Sequence, residues 1–202
     1  MLLYKISFAL HFHPDIMPSM KPILYFLRSS EQRIATDMLY YASRLDEVGK
    51  TLDDFPELSI YEKYYGLTHK DLGVYALAES GVAGAAWIRL LKEDDAPNAY
   101  VDEMTPVLTI GVKPEFRGQG IASVMLEQLI LEAGVLYEQI SVSVVRDSPA
   151  VRLYERFGFV KSDGSEKKSP VDDSPVFTMI KKLLKKEVKR PSDGYDPTYW
   201  MD

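Results

Sequence analysis

The chain has 202 residues, 46% hydrophobic and 27% charged, the size and composition of one soluble globular domain with enough apolar material for a core. A net charge of −6 argues against a general nucleic-acid binder. Cysteine is absent, which removes disulfides, thiolate metal sites and any acyl-cysteine intermediate.

Residues 1–19 fit poorly with the rest of the chain and read as an N-terminal extension outside the core. Their apolar run, 6–12, is interrupted by His11 and too short to span a bilayer, and no signal-peptide cleavage site is evident. Met20 is a more ordinary opening. His11 and His13 would share one strand face but have no third ligand in view, so no metal site is expected. Residues 22–28 (PILYFLR) read as a strand. From 31 to 45, Ile34, Met38, Tyr41 and Leu45 recur at helical spacing, which predicts one helix. A loop over 49–56 precedes a second short helix at 57–65, whose tyrosines (Tyr61, Tyr64, Tyr65) are either acceptor-pocket residues or half-buried packing.

Residues 72–78 and 82–91 read as two strands about the hairpin turn Glu79-Ser80-Gly81, and Gly84 predicts a bulge or a close backbone approach. The connection 92–103 is acidic (Glu93, Asp94, Asp95, Asp102, Glu103), either a solvated loop or an attractor of a cationic amine. Residues 107–112 (VLTIGV) form an apolar strand that Pro114 ends, and a helix runs from the Gly118/Gly120 turn to about Gly134. A strand over 139–145 comes next. Asp147-Ser148-Pro149 opens a helix over 150–157, which Gly158 closes. A strand starts at Phe159 and Val160, a polar loop spans 162–173, and 176–184 is the closing strand. The tail 185–202 reads as loosely ordered.

Strand, glycine turn and helix in succession aim unpaired amides and the positive end of a helix dipole at one spot, a phosphate site. Gly118 and Gly120 let an anion approach the backbone closely. The dinucleotide fingerprint is not met, because Ser123 stands where its third glycine belongs, and the Gly-Lys-Ser/Thr of a Walker loop is absent. What remains is Arg117-x-x-Gly120-x-Ala122, which resembles the acyl-CoA motif of the GCN5-related N-acetyltransferases (GNAT). A second segment strengthens the resemblance: a strand leads through a turn to Ala150, Leu153, Tyr154, Gly158 and Phe159, with Asp147 where that family's pattern has asparagine. The resemblance covers roughly residues 22–184, and 20–184 is taken as the acetyltransferase domain.

That resemblance implies an α/β (α+β) fold: a mixed, mostly antiparallel sheet flanked by helices, with the 107–112 and 139–145 strands parallel and splayed. It implies acetyl-CoA as co-substrate, no metal, and transfer of the acetyl group directly to a primary amine of a small molecule or peptide. The cofactor-binding residues it implies are Ile110 and Val112, which pair with the pantetheine, Gly111 between them, the amides of Arg117, Gly118, Gln119, Gly120, Ile121 and Ala122 toward the pyrophosphate, and Asp147 and Tyr154. Tyr154 stands where the family places the hydroxyl that protonates the leaving thiolate. The family's strand glutamate is replaced by Thr105-Pro106-Val107, so Glu103 is the first candidate base, with Asp102, His69 or a water relay behind it. A cytoplasmic enzyme is expected, without nucleic-acid or membrane partners, and a homodimer is compatible with the resemblance. The rival from another class is a non-catalytic acyl-CoA-binding or regulatory domain. A hydrolase lacks support, since no G-x-S-x-G occurs.

Overall fold

The structure is a computed structural model and describes residues 22–95 and 97–184. The extension 1–19 with His11 and His13, and the tail from Lys185, lie outside the described residues. Eight strands form one sheet in the order β1-β2-β3-β4-β5-β8-β6, with β7 also paired to β8. They are β1 (Ile23–Phe26), β2 (Leu72–Ala78), β3 (Gly81–Arg89), β4 (Val107–Val112), β5 (Gln139–Val145), β6 (Val160–Lys161), β7 (Lys167–Lys168) and β8 (Pro175–Lys182). Every pairing is antiparallel except β4 with β5. This is the mixed sheet that the resemblance implies. Among the described residues no helix is long and apolar enough to cross a membrane.

The core has two layers because β3 is covered on both faces, by helix α1 (Gln32–Ala42) and by helix α3 (Ile121–Leu136). Ala85 and Trp87 point into the α1 layer with Met38, Leu39 and Leu45. The alternate residues Ala86 and Ile88 point into the α3 layer with Met125 and Leu129. Alternation along a strand therefore feeds two cores, and each fully buried large aliphatic side chain contributes about 1.5–3 kcal/mol. Trp87 buries its ring and donates Nε1–H to the Tyr61 carbonyl at 2.7 Å.

Glycines set two close approaches. A Cβ on Gly84 would lie 2.7 Å from the Gly111 carbonyl oxygen, and one on Gly111 would collide with the Met38 carbonyl of α1. The bulge predicted near Gly84 is present as well: Ala76 pairs with Gly84 and Leu77 with Val82, leaving Ala83 over. At the end of α4 (Ala150–Arg156), Gly158 takes φ +80°, and Phe159 N–H donates to the Tyr154 carbonyl at 3.0 Å. This is the glycine stop read from sequence.

Four local expectations are corrected. The single helix over 31–45 is a 3-10 turn, then α1, then the separate short helix α2 (Leu45–Val48), broken at Arg44 with φ 60°. The helix at 57–65 is a 3-10 helix over Pro56–Tyr61, followed by turns in which Tyr64 has φ 64°. The polar loop 162–173 contains β7. Helix α3 continues past Gly134 to Leu136.

Candidate active site

β4 and β5 share one residue pair, Val107 with Ser141, and Ser141 N–H donates to the Pro106 carbonyl at 3.0 Å. Beyond that pair the strands part. The gap opens into a cleft of about 1020 Å³ that runs from the 117–123 segment, past both strands, to the α1–α2 junction and the turn at 169–172. Its floor is pinned from below. Ser141 Oγ donates to the Ala99 carbonyl at 2.7 Å, and Thr178 Oγ1 donates to the Asn98 carbonyl at 2.9 Å. The 92–103 connection thus enters the site through Asn98 and Ala99, while its carboxylates are not among the lining residues.

At one end, Gly118 (φ +77°) and Gly120 (φ +81°) hold left-handed backbone and face open space. Gly120 precedes the first turn of α3 and no side chain caps that helix. Among the described residues, no hydrogen bond reaches the amides of residues 118–122. The unpaired amides of Gly118, Gly120, Ile121 and Ala122 and the N-terminus of a 16-residue helix therefore stand at the cleft, an arrangement suited to a phosphate. Ile110, Val112, Gly118, Gly120, Ile121 and Ala122 line the cleft. Gly111 is buried, and Gln119 is exposed with its Nε2 donating to the Glu115 carbonyl.

Arg117 lines the cleft, but its side chain turns to α2. Nη2 lies 2.8 Å from Asp46 Oδ2, Nη1 3.5 Å from Glu47 Oε1, and Nε donates to the Val112 carbonyl at 3.1 Å. The cation that sequence reading missed is Arg156. It also lines the cleft, and its Nη2 donates to Ser123 Oγ at 2.8 Å in the first turn of α3. No carboxylate lies within ion-pair distance of Arg156 among the described residues. Its place at the end of α4, just before Gly158, was the available signal.

Tyr154 is buried on α4, lines the cleft and packs its ring 5.4 Å from that of Phe159. Burial pushes its phenol pKa well above the ordinary value, so the hydroxyl keeps its proton at neutral pH. Asp147 is exposed at the cleft's edge, and Ser148 rather than Asp147 accepts from the first α4 amide, that of Ala150, at 3.2 Å.

The carboxylate and histidine candidates lie elsewhere. Glu103 is exposed on the turn before β4 and is not among the lining residues. Asp102 accepts from Met104 N–H and Thr105 Oγ1 and holds that turn together. His69 is exposed and outside the cleft. Of the three tyrosines, Tyr61 lines the cleft and its hydroxyl accepts from Asn98 N–H. Tyr65 is core, donating to the Leu27 carbonyl, and Tyr64 is exposed.

Fold and cleft define a class, an α/β domain whose splayed parallel pair opens beside an uncapped helix N-terminus. Residues 70–161 match the model of the acetyltransferase (GNAT) domain. No curated protein matches the sequence. Among solved structures, a GNAT-family acetyltransferase from Streptococcus pneumoniae is similar over 81% of this chain and 99% of its own, with TM-score 0.60 and 18% identity. A phosphinothricin acetyltransferase from Sinorhizobium meliloti, in complex with AcCoA, covers 87% and 95%, with TM-score 0.57 and 21% identity. The ribosomal-protein-S18-alanine N-acetyltransferase from Escherichia coli covers 85% and 99%, with TM-score 0.54 and 14% identity. At these identities the likeness is one of fold.

Proposed function

We propose that the protein is a cytoplasmic N-acetyltransferase, with residues 20–184 as its catalytic domain, that moves an acetyl group from acetyl-CoA directly to a primary amine of a small molecule or peptide. The observation that carries this reading is the single-pair junction of β4 and β5, which opens one cleft joining an unpaired amide loop to the Tyr154 hydroxyl. The loop fits the co-substrate's pyrophosphate, because its donors have no other partner and the open side of both glycines leaves room for it. The parted strands fit an extended arm, whose amides can take the ladder bonds β4 does not make to β5 at Ile110 and Val112, while the backbone of Gly111 between them pairs with Ala85 of β3. Acetyl-CoA supplies the activated acyl group, and the solved phosphinothricin acetyltransferase was seen with AcCoA.

In the reaction the neutral amine attacks the thioester carbonyl carbon. An N–C bond forms, the C–S bond breaks, the nitrogen gives up one proton and the departing sulfur takes one. Tyr154 supplies the proton to sulfur and is reprotonated from water. An amide of the parted β4 segment donates to the carbonyl oxygen as charge builds on it. With Glu103 outside the cleft, the proton from nitrogen reaches it or bulk solvent through water. That same position of Glu103 favours one second reading, an acyl-CoA-binding regulatory domain without turnover. Calorimetric titration with acetyl-CoA and a thiol-release assay over an amine panel separate the two. Binding with amine-dependent thiol release supports the enzyme, binding without it supports the regulator, and no binding overturns both.

A further inference from the structure

The side of the cleft lined by α2 and the turn at 169–172 carries a charge arrangement that bears on the acceptor. Arg44, the residue that separates α1 from α2, holds a left-handed backbone (φ 60°), which costs a non-glycine residue about 1 kcal/mol. Its guanidinium lies 2.8 Å from Glu47 Oε2 and 3.9 Å from Asp172 Oδ2, so it joins α2 to the turn between β7 and β8 across the opening. All three residues line the cleft, beside an apolar and aromatic wall of Leu58, Tyr61 and Val171. Hydrogen bonds from Ser174 hold the Asp172 carboxyl below the ordinary aspartate range, which keeps it charged at neutral pH.

The charges at this end do not balance once the co-substrate is bound. Asp46, Glu47 and Asp172 face Arg44 and Arg117. A pyrophosphate on the 117–122 loop draws on the charge of Arg117, leaving three carboxylates to one guanidinium. Asp46 is ion-paired to Arg117 through Oδ2, while its Oδ1 is sealed from solvent and has no hydrogen-bond partner among the described residues.

We propose that the acceptor carries a second positive charge besides the amine to be acetylated, and that Glu47 and Asp172 receive that charge in the place the Arg44 guanidinium now fills. The inference rests on the acetyltransferase reading and narrows its substrate to a dicationic amine. An aliphatic spacer between the two nitrogens lies along Leu58, Tyr61 and Val171, as the stems of long cationic side chains do on apolar surfaces. An acceptor bearing a carboxylate is disfavoured, since it would enter against Glu47 and Asp172.

The test uses the full chain saturated with CoA and titrated calorimetrically with 1,4-diaminobutane, 1-aminobutane and 4-aminobutanoate. The diamine is expected to bind about tenfold more tightly than the monoamine, the size of one charge-assisted hydrogen bond. Asp172→Asn narrows that ratio. Arg44→Gly, which suits the left-handed backbone and vacates the position, tightens the diamine. Equal affinity for all three ligands overturns the proposal, as does binding of no amine to the CoA complex. Preference for 4-aminobutanoate that disappears in Arg44→Gly overturns it too, and assigns Arg44 to a carboxylate. If CoA itself does not bind, the acetyltransferase reading fails and the inference falls with it, a result distinct from failure of the amines alone.

Discussion

Val107 of β4 pairs with Ser141 of β5, and no other residue pair joins these parallel strands among the described residues. The junction is held from three sides: Ser141 N–H donates to Pro106, Ser141 Oγ donates to Ala99, and Val107 also pairs with Arg89 of β3. A tight closure at this point is what lets the strands open everywhere above it.

Ser141→Ala removes the hydroxyl that the buried Ala99 carbonyl accepts from. Leaving that acceptor unsatisfied is expected to cost about 1–3 kcal/mol. Urea unfolding monitored by circular dichroism gives the number. An unchanged midpoint would mean the Ala99 contact does not hold the closed end of the cleft.

Gly111→Ala places a methyl against the Met38 carbonyl, where the obstacle is backbone and cannot turn aside. Separation of α1 from β4 is expected to lower stability by about 1–3 kcal/mol. The same denaturant assay measures it, and acetyl-CoA affinity should fall with it, since α1 forms one wall of the cleft.

Gly120→Ala meets no atom within 4 Å, so its cost is backbone strain at φ +81° rather than a clash. About 1 kcal/mol of stability is expected to go. Calorimetry should show a larger proportional loss of acetyl-CoA affinity, because the amides that face the phosphate shift with the backbone.

Alkaline unfolding is expected from Tyr137, whose phenol is pushed up to about 12, by burial first and by the charge of Asp71 second. The folded state thus holds this proton more tightly than the unfolded chain, whose phenol titrates near 10.0. Its contribution is complete below about pH 10 and is lost as pH rises from there toward 12. Urea midpoints should stay level from neutrality to about pH 10 and then fall. Tyr137→Phe should make that fall shallower, with part of the remainder due to Tyr61, Tyr65 and Tyr154, which burial raises as well.

The parts of this molecule legible in the sequence are those whose signal is local. The apolar run 107–112, the glycines at 118 and 120, and Gly158 closing α4 each announce their element within a few residues. What depends on distant partners was not legible. Leu45 continues the helical period of Ile34, Met38 and Tyr41, yet the helix breaks before it, and Leu45 is fully buried at the start of a new one. The break lets Asp46 and Glu47 reach Arg117, some seventy residues onward, and no pattern near Arg117 foretells that pairing. β7 is a two-residue strand of exposed lysines, Lys167 and Lys168, that exists only through its pairing with β8. The tyrosines of 61–65 divide by burial into cleft, surface and core, a division their spacing does not encode.

The central claim, direct acetyl transfer with Tyr154 as proton donor, is tested most directly by thiol release from acetyl-CoA in the presence of an amine, wild type against Tyr154→Phe. Phenylalanine fills the same buried space without the hydroxyl, so the fold should persist while the rate falls roughly 100-fold, within the range of general-acid catalysis. Thiol should appear in equal amount with acetylated amine, and only when amine is present. Equal rates in the two proteins, or thiol released without acetylated amine, would contradict the account.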